Sequence, residues 1–487
     1  MSNIPLLFQL PSAWLVALLS EWLDMPSIGM LDTAISAKNY RPQFLDILRI
    51  MRSFSIDCFS EERGRGRLWS DIIVLTRCWW RWLSIRQIHV KNTIICGKTA
   101  VSDLAIPSMR KVVARKFRQV DLYYLVRNCP SLRSLDLSLA SDGTVIDNGL
   151  SFVAKNLHQT LEEFRLAGVG FRRKDLIDVF RRCTHLRSVS LTDDTLKSVS
   201  LNELIPYGHL FDELHFEGTR RAIEGLLAKC SNLRKFTYHG SHKNKKQNAL
   251  IMSAIHRSCP LLENLDLSNV KFNQQVTGAD IFTLVGQTCK HLRKLTLDYC
   301  DLKPSTFRQI AGIETLKELA LCYSDGLTDA GMALVTSMML ENLSILGPQL
   351  TELQSFAGTA ISHSLEYLYL AIGLCDDLPR LYDVQLATGL ASCHKLKTLC
   401  VHSGWDGCVF GLTCLQAIAS GCPLLAEVEL HLTVSGLHCI GTHFTQLKTC
   451  KAYRDPDEDS EVAAEAFPSI EELQTLYPAI KWALLWW

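Results

Sequence analysis

The sequence predicts an α/β solenoid of strand–loop–helix repeats, and two observations carry the prediction. The nine-residue phrase Cys259–Leu267, CPLLENLDL, sets leucines at positions 262, 265 and 267 and then returns along the chain. Apolar residues at the first, fourth and sixth strand places suit a short strand that turns one row of side chains into a core and leaves the alternate row outside. Copies stand at Cys129–Leu137, Cys183–Leu191, Cys289–Leu297, Cys393–Val401 and Cys422–Leu430, with a weaker one at Cys230–Tyr238. The second observation is spacing. Counted from Ile85 to Ile480, the first strand place recurs at a mean interval of about 26 residues, a length that holds one strand and one helix.

The repeat changes how length and composition are read. A chain of 487 residues exceeds one ordinary globular domain, but a solenoid absorbs that length because each repeat buries its apolar side against its neighbours. A formal net charge of +1 gives no global attraction to nucleic acid or to an anionic membrane. Of eighteen cysteines, seven (Cys129, Cys183, Cys230, Cys259, Cys289, Cys393 and Cys422) stand three residues before the first strand apolar position. A cysteine at one fixed repeat place is a small buried hydrophobe, so reduced thiols are expected. No secretory leader pattern and no apolar run of about 18 residues appears, so the expected compartment is cytosol or nucleus, with no membrane contact.

Taken in order, residues 1–55 read as three short helices. Leu10-Pro11 opens a stripe of Leu15, Leu18, Leu19, Trp22 and Leu23; Ile28, Leu31 and Ile35 form a second; Phe44, Leu45, Leu48 and Met51 form a third. Residues 56–84 form a junction, with the flexible EERGRGR at 61–67 followed by Trp69, Trp79, Trp80 and Trp82. Residues 61–118 hold thirteen Lys/Arg against four Asp/Glu. Tryptophans beside arginines can stack bases, but no nucleic-acid motif accompanies them, which favours a junction with solvated charges over a nucleic-acid partner.

Residues 85–487 carry the repeats, beginning with Ile85, Ile88 and Val90 and then Met109, Val112 and Ala114. Later first places are Leu132, Leu161, Leu186, Phe211, Leu233, Leu262, Leu292, Leu316, Leu340, Leu365, Leu396, Leu425, Leu447 and Ile480. Helical spacing appears between them at 149–157, 175–183 and 331–339. Two stretches break the rhythm: GSHKNKKQN at 240–248, read as a basic surface loop, and DPDEDSE at 455–461, read as a mobile acidic loop. The closing YPAIKWALLWW reads as a terminal cap.

Two parts of the sequence are similar to known families. LPSAWLVALLSEWLDMPSIGMLDTAIS, residues 10–36, resembles an F-box in its Leu-Pro start and its hydrophobic-Leu-Asp turn, while AISAKNYRPQF replaces the Cys and Trp of the usual end. The repeats resemble the cysteine-containing class of leucine-rich repeats, with the loop-to-helix signature at Leu327-Thr328-Asp329-Ala330-Gly331-Met332 and a looser copy at 146–150. The resemblance implies a ribonuclease-inhibitor-like horseshoe with a small F-box-like helical region at its N-terminus. It further implies a substrate receptor of an SCF-type ubiquitin ligase, docked on a Skp-type adaptor through Leu10, Pro11, Leu15, Leu18, Leu19, Trp22, Leu23, Ile28, Leu31 and Ile35. The alternative is a leucine-rich-repeat scaffold with no ubiquitin role, in which those residues cap the solenoid.

A horseshoe lines its concave face with the residues between the strand leucines. Along the early and middle repeats these are small and polar: Ser188, Ser190 and Thr192; Asn264, Asp266 and Ser268; Lys294, Thr296 and Asp298. Later come Tyr367 and Tyr369, His402 with Trp405 just beyond it, Glu427, Glu429 and His431, and Tyr453. Aromatic residues in a polar, acidic surround suit a protein-binding centre with a wet rim, so these eight are the candidate substrate-binding residues. The competing reading is that tyrosine simply suits exposed strand positions.

No catalytic pattern emerges. Cys96-Gly97-Lys98-Thr99 ends like a phosphate loop, but Asn92 stands where the first glycine belongs. Cys-x-x-Cys, His-Glu-x-x-His and a Gly-x-Ser-x-Gly elbow are all missing from the sequence. The chain is therefore expected to act without catalysis, cofactor or metal.

Overall fold

Five of the seven copies of the nine-residue phrase fold in the same way. At Cys259 the backbone N–H donates to Ile255 O at 3.0 Å and ends a helix; Leu262 N–H then donates back to Cys259 O at 3.2 Å and turns the chain into a strand. Cys259, Leu262, Leu265 and Leu267 are all buried. The same two bonds recur at Cys129, Cys183, Cys289 and Cys422. The thiol adds a weak tie to the preceding repeat, from Cys289 Sγ to Cys259 O at 3.3 Å and from Cys422 Sγ to Leu390 O at 3.1 Å. Among the described residues thirteen cysteines are buried, and none of these is in a disulfide. Burial pushes Cys183 and Cys230 up to about 12.

The computed structural model describes residues 41–50, 56–57, 90–96, 109–115, 119–139, 146, 148–193, 196, 200–218, 223–241, 245–272, 281–324, 326–347, 356–372, 387–403, 410–454 and 468–485. The chain forms two compact units, Met1–His215 and Phe216–Trp487. In the first, strands β1 (Ile56–Asp57), β2 (Val90–Cys96), β3 (Lys111–Arg115), β4 (Ser134–Leu139), β5 (Glu163–Arg165) and β6 (Ser188–Thr192) pair in chain order, each parallel to the next. Helices α1 (Arg41–Ile50), α2 (Gln119–Asn128), α3 (Gly149–Asn156) and α4 (Arg173–Arg182) belong to the same unit. Strand β7 (Glu213–Glu217) spans the division.

In the second unit ten strands pair in parallel and in chain order: β8 (Lys235–His239), β9 (Asn264–Ser268), β10 (Lys294–Asp298), β11 (Glu318–Cys322), β12 (Asn342–Leu346), β13 (Tyr367–Ile372), β14 (Thr398–Ser403), β15 (Glu427–Leu432), β16 (Thr449–Arg454) and β17 (Lys481–Leu485). Its helices are α5 (Ile223–Leu227), α6 (Lys245–Ser258), α7 (Ile281–Thr288), α8 (Pro304–Ala311), α9 (Asp329–Thr336), α10 (Leu412–Gly421), α11 (Val434–His443) and α12 (Ile470–Leu476). One parallel strand per repeat with a helical return is the leucine-rich-repeat solenoid, an α/β fold.

Parallel strands without stagger place equivalent residues in straight rows. Leu265 aligns with Phe236 and with Leu295, Leu295 with Leu319, and Leu319 with Leu343, all buried. Burying one such side chain contributes about 1.5–3 kcal/mol, so the leucine rows dominate the packing. A second row lies just before the strands. Arg293 and Lys294 N–H both donate to Glu263 O, and Lys317 and Glu318 N–H both donate to Arg293 O. Its side chains form exposed ion pairs, Arg133–Glu162 at 3.0 Å, Lys317–Glu341 at 3.2 Å and Lys397–Glu366 at 2.7 Å.

The structure departs from the sequence expectation at four places. Asn92 aligns with Lys111, so Val90 rather than Ile85 takes the first place of its strand, as the β-branched run Thr93-Ile94-Ile95 favours. Ile56 pairs with Val90, so the ladder reaches into residues 56–84. Ile480 keeps the buried start of the last repeat, its N–H donating to Tyr477 O at 3.2 Å, but Lys481 aligns with Thr449, so the strand slips by one residue and Trp482 rather than Ala483 takes the buried place opposite Cys450. Residues 240–248 are not all loop, because α6 begins at Lys245 and buries Asn248, whose Nδ2 donates to Lys271 O at 3.3 Å.

Helix caps follow side-chain chemistry unevenly. Thr328 caps α9 by accepting from Gly331 N–H at 3.4 Å, as the signature predicts. Asn148, in the looser copy, makes no such cap and sits in the left-handed region at φ 57°. Its N–H instead donates to Asp175 Oδ2 at 3.2 Å. The candidate adaptor-binding residues 10–35, the tryptophans of 69–82, the Gly97–Thr99 segment and the acidic 455–461 stretch lie outside the described residues.

Candidate partner-binding site

The in-register rows carry the candidate residues into one cluster on the second unit. Tyr369 aligns with Cys400, Cys400 with Glu429, and Glu429 with Lys451. Two places further along, Ala371 aligns with His402 and His431 with Tyr453. Neighbouring strands stand about 4.8 Å apart, so side chains from four strands reach each other.

Glu429 is the hub. Tyr453 OH donates to its Oε1 at 2.6 Å, Lys451 Nζ donates to its Oε2 at 2.9 Å, and His402 Nε2 lies 3.5 Å from Oε1. The Glu429 side chain is 16% exposed and that of His402 14%. Burial acts to raise the Glu429 carboxyl, but the hydrogen bonds from Tyr453 and Lys451 and the positive charges beside it hold it below its ordinary value. His402 is lowered, first by burial and then by Lys451, against the opposing pull of Glu429. Around the hub the His402 ring meets Tyr369 and Tyr453, each at 5.2 Å between centroids.

The eight candidates therefore divide. Tyr369, His402, Glu429 and Tyr453 form one contact network at the surface. Tyr367 and Glu427 stand beside it on the row Tyr367–Thr398–Glu427, with Glu427 exposed. His431 is buried where the sequence expects an outward side chain: it is 3% exposed and stacks under Tyr453 at 5.0 Å and 22°. Its strand place alternates outward, but the neighbouring phenol ring covers it. Trp405 lies outside the described residues. Lys451, which pairs with Glu429, is a member of the cluster that aromatic content alone passes over; its place in the Glu429 row is the signal that finds it.

Cys400, His402 and Glu429 lie side by side and invite a nucleophilic reading. Burial first, and then Glu429, pushes the Cys400 thiol up to about 12, so the reactive thiolate is withheld at neutral pH. The same environment pushes the Tyr367 and Tyr369 phenols up to about 12, burial first and then the acidic neighbours Cys400 and Glu429 among others. Among the described residues no group of three His, Cys, Asp or Glu side chains could hold a metal ion. What the arrangement offers is a fixed, partly desolvated aromatic surface around one carboxylate, with exposed charge at its rim.

No family model matches this chain, and no curated protein matches it in sequence. Solved structures resemble it in chain course. The yeast structure of Rad7 with Elc1 is similar at 13% identity, covering 88% of this chain and 93% of that one with a TM-score of 0.41. TLR13 with ssRNA13 is similar at 15% identity, covering 81% and 71% with a TM-score of 0.40. Mouse RP105 with MD-1 is similar at 14% identity, covering 75% and 71% with a TM-score of 0.42. The assignment of the fold rests on the parallel ladder described above. Among the described residues no helix is long and apolar enough to cross a membrane.

Proposed function

We propose that this chain is a non-catalytic protein-binding adaptor whose partner surface is the strand face around Glu429. The observation that carries the reading is the Tyr369–His402–Tyr453–Glu429 network, held on four adjoining strands. Rigid aromatic anchors beside a satisfied carboxylate lose little entropy on binding, and such residues dominate protein interfaces. Strands also fix these groups more firmly than loops would.

In the finer form of the proposal the chain is a substrate receptor of an SCF-type ubiquitin ligase. Residues 10–36 would dock a Skp-type adaptor through Leu15, Leu18, Trp22 and their neighbours, and the strand face would hold the protein substrate. The double variant Tyr367→Ala/Tyr369→Ala tests the face. It is expected to weaken recovery of the native partner by about thirtyfold, the loss of a roughly 2 kcal/mol hot spot, with an unchanged circular dichroism spectrum. Undiminished recovery would defeat the reading. A pull-down of the full chain with purified Skp-type adaptor tests the finer form, and lack of binding at high concentration would leave a scaffold without a ubiquitin role.

A further inference from the structure

The aromatic surface does not end at Tyr369. One residue beyond each strand the chain turns at Asn269, Tyr299, Tyr323 and Gly347, with φ of 57°, 49°, 45° and 87°. Each N–H donates to a carbonyl at the end of the next strand: Asn269 to Asp298 O at 2.9 Å, Tyr299 to Cys322 O at 2.8 Å, Tyr323 to Leu346 O at 2.8 Å and Gly347 to Ala371 O at 2.7 Å. Asparagine and glycine accept this left-handed backbone readily, whereas a bulky tyrosine is strained there by about 1–3 kcal/mol. The Tyr299 and Tyr323 rings stack at 4.9 Å and 17° and are 49% and 51% exposed. A Cβ at Gly347 would stand 2.8 Å from Tyr323 Cδ1, so glycine there leaves room for the ring. Core packing does not account for two strained, half-exposed tyrosines in successive repeats.

Between this pair and the Glu429 hub, the fifth and seventh places on β11 to β13 hold Ala320, Cys322, Ser344, Leu346, Tyr369 and Ala371, none of them charged, while Glu318 at the third place of β11 is paired with Lys294. The two aromatic groups are joined by one row, since Cys322, which precedes Tyr323, aligns through Leu346 and Ala371 with His402. Two lysines, on β10 and β16, are paired: Lys294 with Glu318 at 2.8 Å and Lys451 with Glu429 at 2.9 Å. Glu427 is exposed at one end, and Asp298 stands beside Tyr299 at the other, accepting from Ser268 Oγ at 3.2 Å. This field opposes a phosphate backbone, which needs unpaired lysines or arginines. It favours a cation, and a guanidinium both stacks on tyrosine and pairs with a carboxylate.

We propose that the face from β10 to β16 takes an extended segment of a partner protein that carries a positively charged side chain, arginine before lysine. The segment lies across the strands with its charge at Glu427 and its flat or apolar groups against Tyr299 and Tyr323. Six strand steps span about 29 Å, the length of roughly nine extended residues. The inference rests on the reading above that this face binds protein, and it adds the chemistry of the partner.

The test pans the full chain against a displayed library of random peptides about twelve residues long, enough to cross the face. Selected peptides are expected to share an arginine separated from a proline or aromatic residue. Glu427→Gln, an exposed and fold-neutral change, should weaken them about tenfold, and Tyr299→Ala/Tyr323→Ala should weaken them similarly. Glu163→Gln, on the other unit, should leave binding unchanged. Lack of a cationic consensus, equal affinity for Glu427→Gln, or tighter binding of a labelled oligothymidine than of any selected peptide overturns the proposal. Uncharged peptides that lose binding to Tyr367→Ala/Tyr369→Ala sink this inference alone. Peptides indifferent to those tyrosines sink the partner-binding reading with it.

Discussion

Two strand glutamates, Glu163 at the third place of β5 in the first unit and Glu429 at the fifth place of β15 in the second, have side chains 19% and 16% exposed, and they differ in what surrounds them. Glu163 accepts from Ser134 Oγ at 2.6 Å and pairs with Arg165 at 2.7 Å and Lys111 at 3.9 Å. Glu429 accepts from Tyr453 and Lys451 and approaches His402. Both carboxyls are held below their ordinary value, burial opposing and hydrogen bonds with nearby cations prevailing. A depressed carboxylate is thus no mark of a binding site in this chain. The aromatic surround of Glu429 distinguishes it, since Glu163 lies among hydroxyl and aliphatic cationic groups that serve the strands themselves.

The largest expected effects lie beneath the two hubs and test whether the units stand on separate cores. Phe164 and Leu430 are both fully buried next to their hub residue. Phe164→Ala should cost about 3–5 kcal/mol and Leu430→Ala about 2–5 kcal/mol in urea unfolding. Because repeats couple chiefly to their neighbours, hydrogen exchange should quicken in β4–β6 for the first variant and in β14–β16 for the second. Equal loosening of both regions by either change would break the comparison.

Acidification should separate the hubs by sign and by range. The folded His402 is lowered below 6.5, so the unfolded chain takes up that proton first; the stability it carries is complete above about pH 6.5 and declines as pH falls below it. The groups facing it are Glu429, Lys451, Tyr369 and Tyr453. Glu163 and Glu429 are lowered from 4.5, so their contribution is present above that value and is lost as pH falls through the lower folded one. His402→Gln should therefore flatten the fall in Tm between about pH 6.5 and 4.5, while Glu163→Gln alters only the more acidic limb. Identical profiles for wild type and His402→Gln would remove the histidine from the hub's energetics.

Much of this architecture was legible because leucine sets the strand phase directly. Leu132 through Leu447 keep that phase, and the parallel register then lines up Tyr369, Glu429 and Lys451 without further information. Phase was lost where its marker changes, at Val90, and where β17 slips by one residue after Ile480, and the polar 240–248 run concealed the start of α6 because Asn248 is buried by tertiary contact. Burial of His431 depends on the Tyr453 ring from the next strand, which strand alternation cannot report. The left-handed Tyr299 and Tyr323 were equally silent, since tyrosine gives no signal for such a backbone; only their shared place with Gly347 does.

The smallest expected effect compares ion pairs rather than units. Lys397–Glu366 at 2.7 Å belongs to the exposed row before the strands, with both side chains near half exposed. Lys451–Glu429 has a similar distance, 2.9 Å, but its carboxylate is largely buried and shares a second bond with Tyr453. Exposed pairs contribute about 0.2–1 kcal/mol and are screened by salt, whereas a charge-assisted bond to a partly buried carboxylate contributes about 1.5–3 kcal/mol. A double-mutant cycle of Lys397→Met with Glu366→Gln should give a coupling below about 0.5 kcal/mol that vanishes at high salt. The cycle of Lys451→Met with Glu429→Gln should give at least about 1 kcal/mol and retain most of it. Equal couplings would mean that water screens the Glu429 hub as freely as the outer row, leaving the aromatic rings around it as bystanders.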